Sequence, residues 1–333
     1  MISAQTIEKI LSLYDLRPRT FLEQKKGYRN ISQAFVTEDG TIFNLMLFKQ
    51  EPLIKDQIIS TDKFTSYLSE NGLPVRRAID KRIVQISSPA GIRLARLYNY
   101  LPGQTISWEA YTQKHIKLLG SMMAEMHKLA ADYAGDNVPL VHETAITNAT
   151  TMQRYFSDSN VVKAMAKKLN LSIPFDRIKT FITVLSSAPA WGTQLPLHMD
   201  FVRSNILFDQ DSTEDLHISG IIDFEKAAYG PPVFDLARTL AFLIVDCKYK
   251  DAAKVRKYFL HSGYKKRGGA DLQLKALRVG DVRQLNIEWL ISFYLLYDFY
   301  KFLRHNPYES LFQNEHYVRT VAVLLDRAVL ESA

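Results

Sequence analysis

The chain has 333 residues and one cysteine, Cys247. A lone cysteine excludes an internal disulfide and a cysteine-built metal site, and it points to a reducing cytosol. Long apolar runs are also missing. The longest, near 240–245 and 290–296, are cut short by Asp246 and Asp298, well below the ~20 apolar residues that span a bilayer. The opening stretch, MISAQTIEKILSLYDL, carries Glu8, Lys9 and Asp15 inside its apolar pattern. It reads as an amphipathic helix and not as a secretory signal. The closing LESA holds no prenylation motif. Internal repeats and low-complexity segments are absent. Basic runs are short (Lys25-Lys26, Arg76-Arg77, Lys265-Lys266-Arg267) and not interleaved with aromatics, which argues against a nucleic-acid module. The net charge of +7 equally suits a field that attracts an anionic small molecule.

What remains is an ordinary globular composition, 47% hydrophobic and 23% charged, on a chain long enough for two lobes. A first helix is expected over 1–17, stopped by Pro18. Alternation over 31–37 and 41–48 around Glu38-Asp39-Gly40 predicts a β-hairpin. A helix over 56–70 follows, ended by Asn71-Gly72, then strands at 82–86 and 92–100. After Leu101-Pro102-Gly103 helix dominates. In 112–130, Ile116, Leu119, Met122, Met123, Met126 and Leu129 share one face, with His127 beside it as a hydrogen-bonded core residue. Further helices are expected near 148–168, 175–187, 232–246, 249–261, 271–277, 280–304 and 314–331, with a compact β-rich piece at 195–224 between them.

That piece carries the chemistry. Residues 195–208, LPLHMDFVRSNILF, set His198, Asp200, Arg203 and Asn205 between two apolar edges, and a plain turn needs no such set. Downstream, ISGIIDFE delivers Asp223 and Glu225 at the end of an apolar strand. A hairpin returns its strand ends to one place, so Asp200, Asn205 and Asp223 can converge. Two neighbouring carboxylates are costly to bury unless a cation joins them. Asn205 and Asp223 offer hard oxygens suited to Mg²⁺ with phosphates and waters. Asp200 is then left to accept or orient a hydroxyl proton, an arrangement that serves phosphoryl transfer.

These motifs resemble the aminoglycoside phosphotransferase / choline kinase superfamily, with its H-G-D-x-x-x-x-N, I-D-F or I-D-W, and G-x-P-x-x-D-L-A signatures. Here they read His198-Met199-Asp200 with Asn205, Ile222-Asp223-Phe224, and Gly230-Pro231-Pro232-Val233-Phe234-Asp235-Leu236-Ala237. Tyr98–Gly103 is similar to the family's hinge, and 118–127 to its helix ending in M-H. The resemblance implies an α+β, two-lobed protein-kinase-like fold. A small β-rich nucleotide-binding lobe would span 1–100 and a large helical catalytic and substrate-binding lobe 101–333. It implies ATP as co-substrate, Mg²⁺ as cofactor, and a small-molecule hydroxyl acceptor, with no membrane or nucleic-acid partner, in a cytoplasmic monomer or homodimer. Asp200 would be the catalytic base, and Asn205 and Asp223 the metal ligands. His198 and Asp235 would shape the loop. Gly27 to Asn30 would cover the phosphates, while Asn99, Tyr100 and Leu101 meet the adenine edge above a floor of Leu207 and Ile222.

The chain departs from the pattern in places. Met199 replaces a small residue. Met46 stands where the second strand should carry a phosphate-binding cation. Lys49 is a substitute, but a regular strand turns it to the other face. Asp62 is the counterpart of the helix acid that would pair with that cation. Bacterial homoserine kinases of this superfamily also lack the strand cation, which favours that branch. Homoserine or a similar amino alcohol is therefore the first acceptor, ahead of choline or ethanolamine and of an aminoglycoside. A catalytically silent nucleotide-binding protein is the rival reading. At the acceptor end, Trp289, Tyr294 and Tyr297 on the aromatic helix 285–304 are pocket candidates. Glu225 is a candidate for a second metal or an amine. Arg203 can meet an acceptor carboxylate or pair on the surface.

Overall fold

The computed structural model describes residues 3–26, 30–88, 91–107, 110–135, 139–188, 191–210, 212–247, 250–269 and 287–333. The chain opens with α1 (Ala4–Ser12), N-capped by the Ser3 hydroxyl, which accepts from the Thr6 N–H. The strands β1 (Pro18–Lys26), β2 (Ile31–Thr37), β3 (Ile42–Phe48), β4 (Val84–Ser88) and β5 (Gly91–Asn99) form an antiparallel sheet in the order β1-β2-β3-β5-β4. Period-two alternation gives the sheet two apolar faces. Phe35, Leu45, Leu47, Ala95 and Leu97 pack with Ile7, Ile10 and Leu11 of α1. Met46, Phe48 and Tyr98 pack with Ile54 and Ile58 of α2 (Ile54–Glu70), the helix between β3 and β4.

Two expectations fail in this lobe. The first helix ends at Ser12 and not at residue 17, because the backbone turns left-handed at Asp15 (φ 60°) and Leu16 N–H closes back onto the Leu11 carbonyl. The strand β1, which periodicity does not predict, then follows. PRTFLEQKK has no apolar alternation because β1 is an edge strand, where charge protects against further pairing.

The second lobe is mostly helical. It contains α3 (Gln113–Ala131), α4 (Val141–Phe156), α5 (Ser159–Leu169), a short β6 (Leu171–Ser172) and α6 (Phe175–Leu185). Next come β7 (Leu195–Leu197), β8 (Ile206–Gln210), β9 (Leu216–Ile221) and β10 (Ala228–Gly230), then α7 (Val233–Asp246). A short α8 (Ala252–Arg256) runs on as a π-helix over Lys257–Lys265, and α9 (Ile287–His305), α10 (Glu315–Asp326) and β11 (Glu331–Ser332) complete the lobe. The single helix expected near 148–168 is two, because Asp158 caps a new start by accepting from Asn160 N–H. The expected helix at 271–277 and the start of that at 280–304 lie outside the described residues.

The lobes join through backbone. Gln104 and Phe208 exchange two N–H···O bonds of 2.9 Å, and Arg76 N–H donates to the Ile221 carbonyl at 3.1 Å while Ile221 N–H donates to Pro74 at 2.7 Å. Within the helical lobe, α3 and the π-helix meet backbone to backbone. A Cβ on Gly120 would stand 2.1 Å from the Phe259 carbonyl oxygen and 2.9 Å from the Tyr264 nitrogen, and one on Gly263 would stand 2.6 Å from the Lys117 carbonyl oxygen. No side chain can rotate away from such a clash. Gly120→Ala is therefore expected to destabilise the fold by about 1–3 kcal/mol through overpacking, read as a lower urea midpoint with an unchanged slope.

Candidate active site

The loop between β7 and β8 is held at its root by β7–β10 pairing, Leu195 with Gly230 and Leu197 with Ala228. Above that root one carboxylate grips the backbone. Asp235, in the first turn of α7, accepts from His198 N–H (Oδ2, 2.9 Å) and Met199 N–H (Oδ1, 2.8 Å), with His127 Nε2 at 3.2 Å from Oδ2. Asp235 is fully buried. Burial pushes its pKa up, but the His127 and His198 interactions outweigh that and hold it below the usual carboxylate range. The helix N-terminus also favours a carboxylate there. His127, whose Nδ1 lies 2.9 Å from the Tyr264 hydroxyl, is thereby a buried hydrogen-bonded core residue.

The grip explains Met199. Its φ is 59°, in the left-handed region that costs a side-chain-bearing residue about 1–2 kcal/mol. The small residue expected there would adopt this turn freely, whereas Met199 is held in it by the bond to Asp235. His198 Nδ1 accepts from Asp200 N–H at 3.1 Å, so its Nε2 donates to the Ile222 carbonyl at 3.2 Å. Full burial lowers the His198 pKa and keeps that neutral form. The ring packs on Phe224, 4.3 Å away.

Asp200 is buried beside two cations. Its Oδ1 lies 2.8 Å from Lys226 Nζ and 3.3 Å from Arg238 Nη2, and its Oδ2 accepts from Asn205 Nδ2 at 3.2 Å. Burial works to raise its pKa, but Arg238 and Lys226 hold the carboxyl below the usual range. Arg238 is itself buried, with its guanidinium 5.3 Å from the Phe242 ring and 5.5 Å from the Tyr294 ring. Asn205 Nδ2 also donates to the Asp200 carbonyl at 2.9 Å, which turns Oδ1 of the carboxamide the other way, toward the Ser204 hydroxyl at 3.4 Å. The Asn205 carbonyl accepts from Ile222 N–H at 2.9 Å, which sets Asp223 (φ 64°) next to it. Asp200, Asn205 and Asp223 thus come together. Among the described residues no three His, Cys, Asp or Glu side chains group to hold a metal. The Asn205 and Asp223 oxygens fit a hard cation that completes its shell with phosphate and water, as Mg²⁺ does.

On the sheet side, Leu207 and Leu101 close over Gly220, where a Cβ would lie 2.9 Å from Leu207 Cδ1 and 3.0 Å from Leu101 Cβ. Leu207 and Ile222 are half-buried, an apolar floor open on one side. Asn99 spends its Oδ1 on Arg77 N–H at 2.8 Å, and Tyr100 is exposed. Asn30 donates to Glu225 Oε1 and accepts from Lys49 N–H at 3.0 Å, while Gln57 donates to the Glu225 carbonyl. Glu225 is thereby clasped by the sheet lobe. Gly27 lies outside the described residues.

Several candidates are placed elsewhere. The Lys49 ammonium, one residue past the end of β3, faces solvent, 4.0 Å from Glu51. Asp62 pairs not with a cation on β3 but with Arg96 on β5, directly opposite Met46, at 2.7 Å. Trp289 packs edge-on against Phe181, 4.4 Å away, in a cleft of about 650 Å³ that includes Arg177 and Arg327 and none of the loop residues. A helix as aromatic as α9 feeds more than one face, and Trp289 is on the α6 side. Tyr294 is buried behind Arg238, and Tyr297 stacks with Tyr300, 6.0 Å away. Arg203 Nε lies 3.4 Å from Asp246 at the end of α7, so it pairs within the protein. Lys226 and Arg238 escape sequence reading. The available signals were a lysine just after Asp223-Phe224-Glu225 and an arginine one helical turn after Asp235.

A profile of the phosphotransferase enzyme family (APH) matches residues 27–263. The chain is 24% identical over 174 residues to hydroxylysine kinase of Mus musculus, a match spanning 49% of this chain and 45% of that protein. It is 26% identical over 249 residues to homoserine kinase of Cupriavidus metallidurans, covering 74% of this chain and 72% of that one. The fold is similar to that of an amicoumacin kinase, with a TM-score of 0.67 at 16% identity, covering 98% of this chain and 95% of the other. With strands β2 to β5, the gripped loop and the strand that leads to Asp223 all inside the matched span, the chain belongs to the phosphotransferase enzyme family.

Proposed function

We propose that this protein transfers the γ-phosphoryl group of ATP, with Mg²⁺, to a hydroxyl of a small polar metabolite, and that the acceptor is an amino-acid alcohol of the homoserine or hydroxylysine kind. The observation that carries the reading is the junction of Asp200, Asn205 and Asp223 on a loop whose backbone is pinned from behind. Phosphoryl transfer asks a protein mainly to position groups and stabilise charge, and this loop is built for position. The nature of the relatives supports the acceptor class, and the amicoumacin kinase structure with AMP-PNP and Ca²⁺ supports a nucleotide with a divalent cation.

In this reading Asn205 Oδ1 and the Asp223 carboxylate hold the Mg²⁺, which supplies charge neutralisation at the phosphates when bound. The lobe before residue 100 covers the nucleotide, with adenine over Leu101, Leu207 and Ile222. Asp200 receives the acceptor hydroxyl. Its carboxyl is held below the usual range and so is ionised at neutral pH. It accepts the hydroxyl hydrogen bond, orients the oxygen for attack and takes the proton late, when the oxygen has become acidic. Lys226 is more than half exposed and leaves Oδ1 readily, whereas Arg238 is buried and stays. Tyr294 keeps Arg238 in place. A silent nucleotide binder would have no use for an Asp200 carboxylate oriented on both oxygens.

Nucleoside triphosphate consumption with homoserine, hydroxylysine, choline, ethanolamine and aminoglycosides as acceptors tests the class, and an amino-acid alcohol should give the highest kcat/KM. Asp200→Ala should lower kcat by about 10²–10⁴-fold, and an unchanged rate would overturn its role. Mg²⁺-ATP at a hundred times its Kd should add about 2.7 kcal/mol of stability, visible as a higher Tm. The acidic limb of kcat/KM reports the Asp200 carboxylate. Because that pKa is depressed, activity should persist as pH falls through the ordinary carboxylate range and be lost only below it. Arg238→Met removes the buried cation, so the limb should move upward in pH along with a loss of rate. A limb that does not move would show that another group titrates there.

A further inference from the structure

The inner face of the sheet raises a question of charge. Met46 cannot meet a phosphate, and its cross-strand partner Arg96 is spent. Arg96 Nε and Nη2 both lie 2.7 Å from Asp62 Oδ2, and Nη1 donates to the Arg82 carbonyl at 2.7 Å. A second cation stands beside this pair. Arg76 is 8% exposed, and its guanidinium lies 4.5 Å from the centroid of the Tyr98 ring. Tyr98 is two residues beyond Arg96 on β5 and shares with Met46 and Phe48 the sheet face that packs on α2. Among the described residues no carboxylate or carbonyl accepts a hydrogen bond from the Arg76 guanidinium. The cluster of Asp62, Arg96 and Arg76 therefore holds one more cation than it holds anions.

Such a group is costly to keep. A guanidinium has five N–H donors and cannot shed its charge. A ring face attracts it but satisfies none of those donors, and Asp62, the carboxylate that acts on it, is already bonded to Arg96, so the N–H groups of Arg76 are left for solvent or an added anion. Position indicates what pays the debt. Arg76 N–H donates to the Ile221 carbonyl, so its backbone is tied to the residue before Ile222 and Asp223, where the sheet lobe meets the catalytic hairpin. That pairing places Arg76 where the sheet lobe meets the hairpin that ends next to Asp223, a cation separate from the Lys226 and Arg238 that Asp200 already holds.

We propose that Arg76 is the cation that binds the nucleotide's phosphates in this protein, in place of the basic residue that β3 lacks at Met46. The inference rests on the phosphotransfer reading. Arg76 reaches the phosphates from the segment between α2 and β4, held flat by the Tyr98 ring, and its planar fork presents paired N–H groups that suit phosphate oxygens. Arg96 and Asp62 form the fixed layer behind it.

The test is calorimetric titration of the full chain, wild type and variants, with Mg²⁺-ATP and separately with adenosine. Arg76→Met keeps the stem against Tyr98 and removes the charge. It should weaken Mg²⁺-ATP about 10–100-fold and leave adenosine affinity unchanged, and Arg76→Lys should recover part of the loss. Equal ATP affinity in wild type and Arg76→Met would overturn the assignment while leaving the kinase reading intact. A parallel loss for ATP and adenosine would also overturn it, by making Arg76 a prop for the cleft. If Arg76→Met does not fold, Arg76→Gln carries the same expectation. A wild-type chain that binds neither ligand would overturn the phosphotransfer reading itself, and this inference with it.

Discussion

Everything in the loop between β7 and β8 depends on what the Asp235 carboxylate binds. It is fully buried and accepts two successive backbone N–H groups, from His198 and Met199, with the His127 ring on a third side. A buried carboxylate is tolerable only when its lone pairs are filled, and here the filling fixes the backbone before Asp200. The turn at Met199 follows from this grip, as does the direction in which Asp200 leaves it. His198 extends the same logic forward, tying Asp200 N–H to the Ile222 carbonyl through one neutral ring. The loop, the segment that follows β9 and helix α7 are thereby tied together through a few hydrogen bonds.

Charge is divided around that body. Asp200 is balanced by one buried and one exposed cation, so one partner is permanent and the other exchangeable. Asn205 gives its Nδ2 to Asp200 and turns its Oδ1 toward Ser204. The sheet lobe adds its own contacts, with Asn30 and Gln57 both reaching Glu225, so the residues downstream of Asp223 are shared between the lobes. Backbone pairing at Gln104 with Phe208 and at Arg76 with Ile221 sets the hinge.

Much of this is legible in the sequence, for a physical reason. Asp200, Asn205 and Asp223 announce themselves because polar residues between apolar strand ends need a purpose, and hairpin geometry makes them meet. Asp235 and His127 stand out as polar groups on apolar helical faces. What escapes depends on distances that periodicity does not encode. The strand β1 is hidden because an edge strand carries charge where a central one carries apolar residues. Arg96 cannot be matched to Met46 without the cross-strand register, nor Arg238 to Asp200 without the packing of α7 under the loop. Trp289 and Arg203 mislead because an aromatic helix and a loop arginine have the same composition whether they face a cleft or a neighbour, and here Phe181 and Asp246 are the neighbours.

The close approach of α3 to the π-helix has a meaning beyond packing. Gly120 and Gly263 let the two backbones touch, and that contact delivers Tyr264 to His127, which in turn braces Asp235. The backbone turn that precedes Asp200 is therefore set, by way of Tyr264, His127 and Asp235, by the absence of two methyl groups. A seam between two helices thus fixes the geometry of a loop at some remove from it.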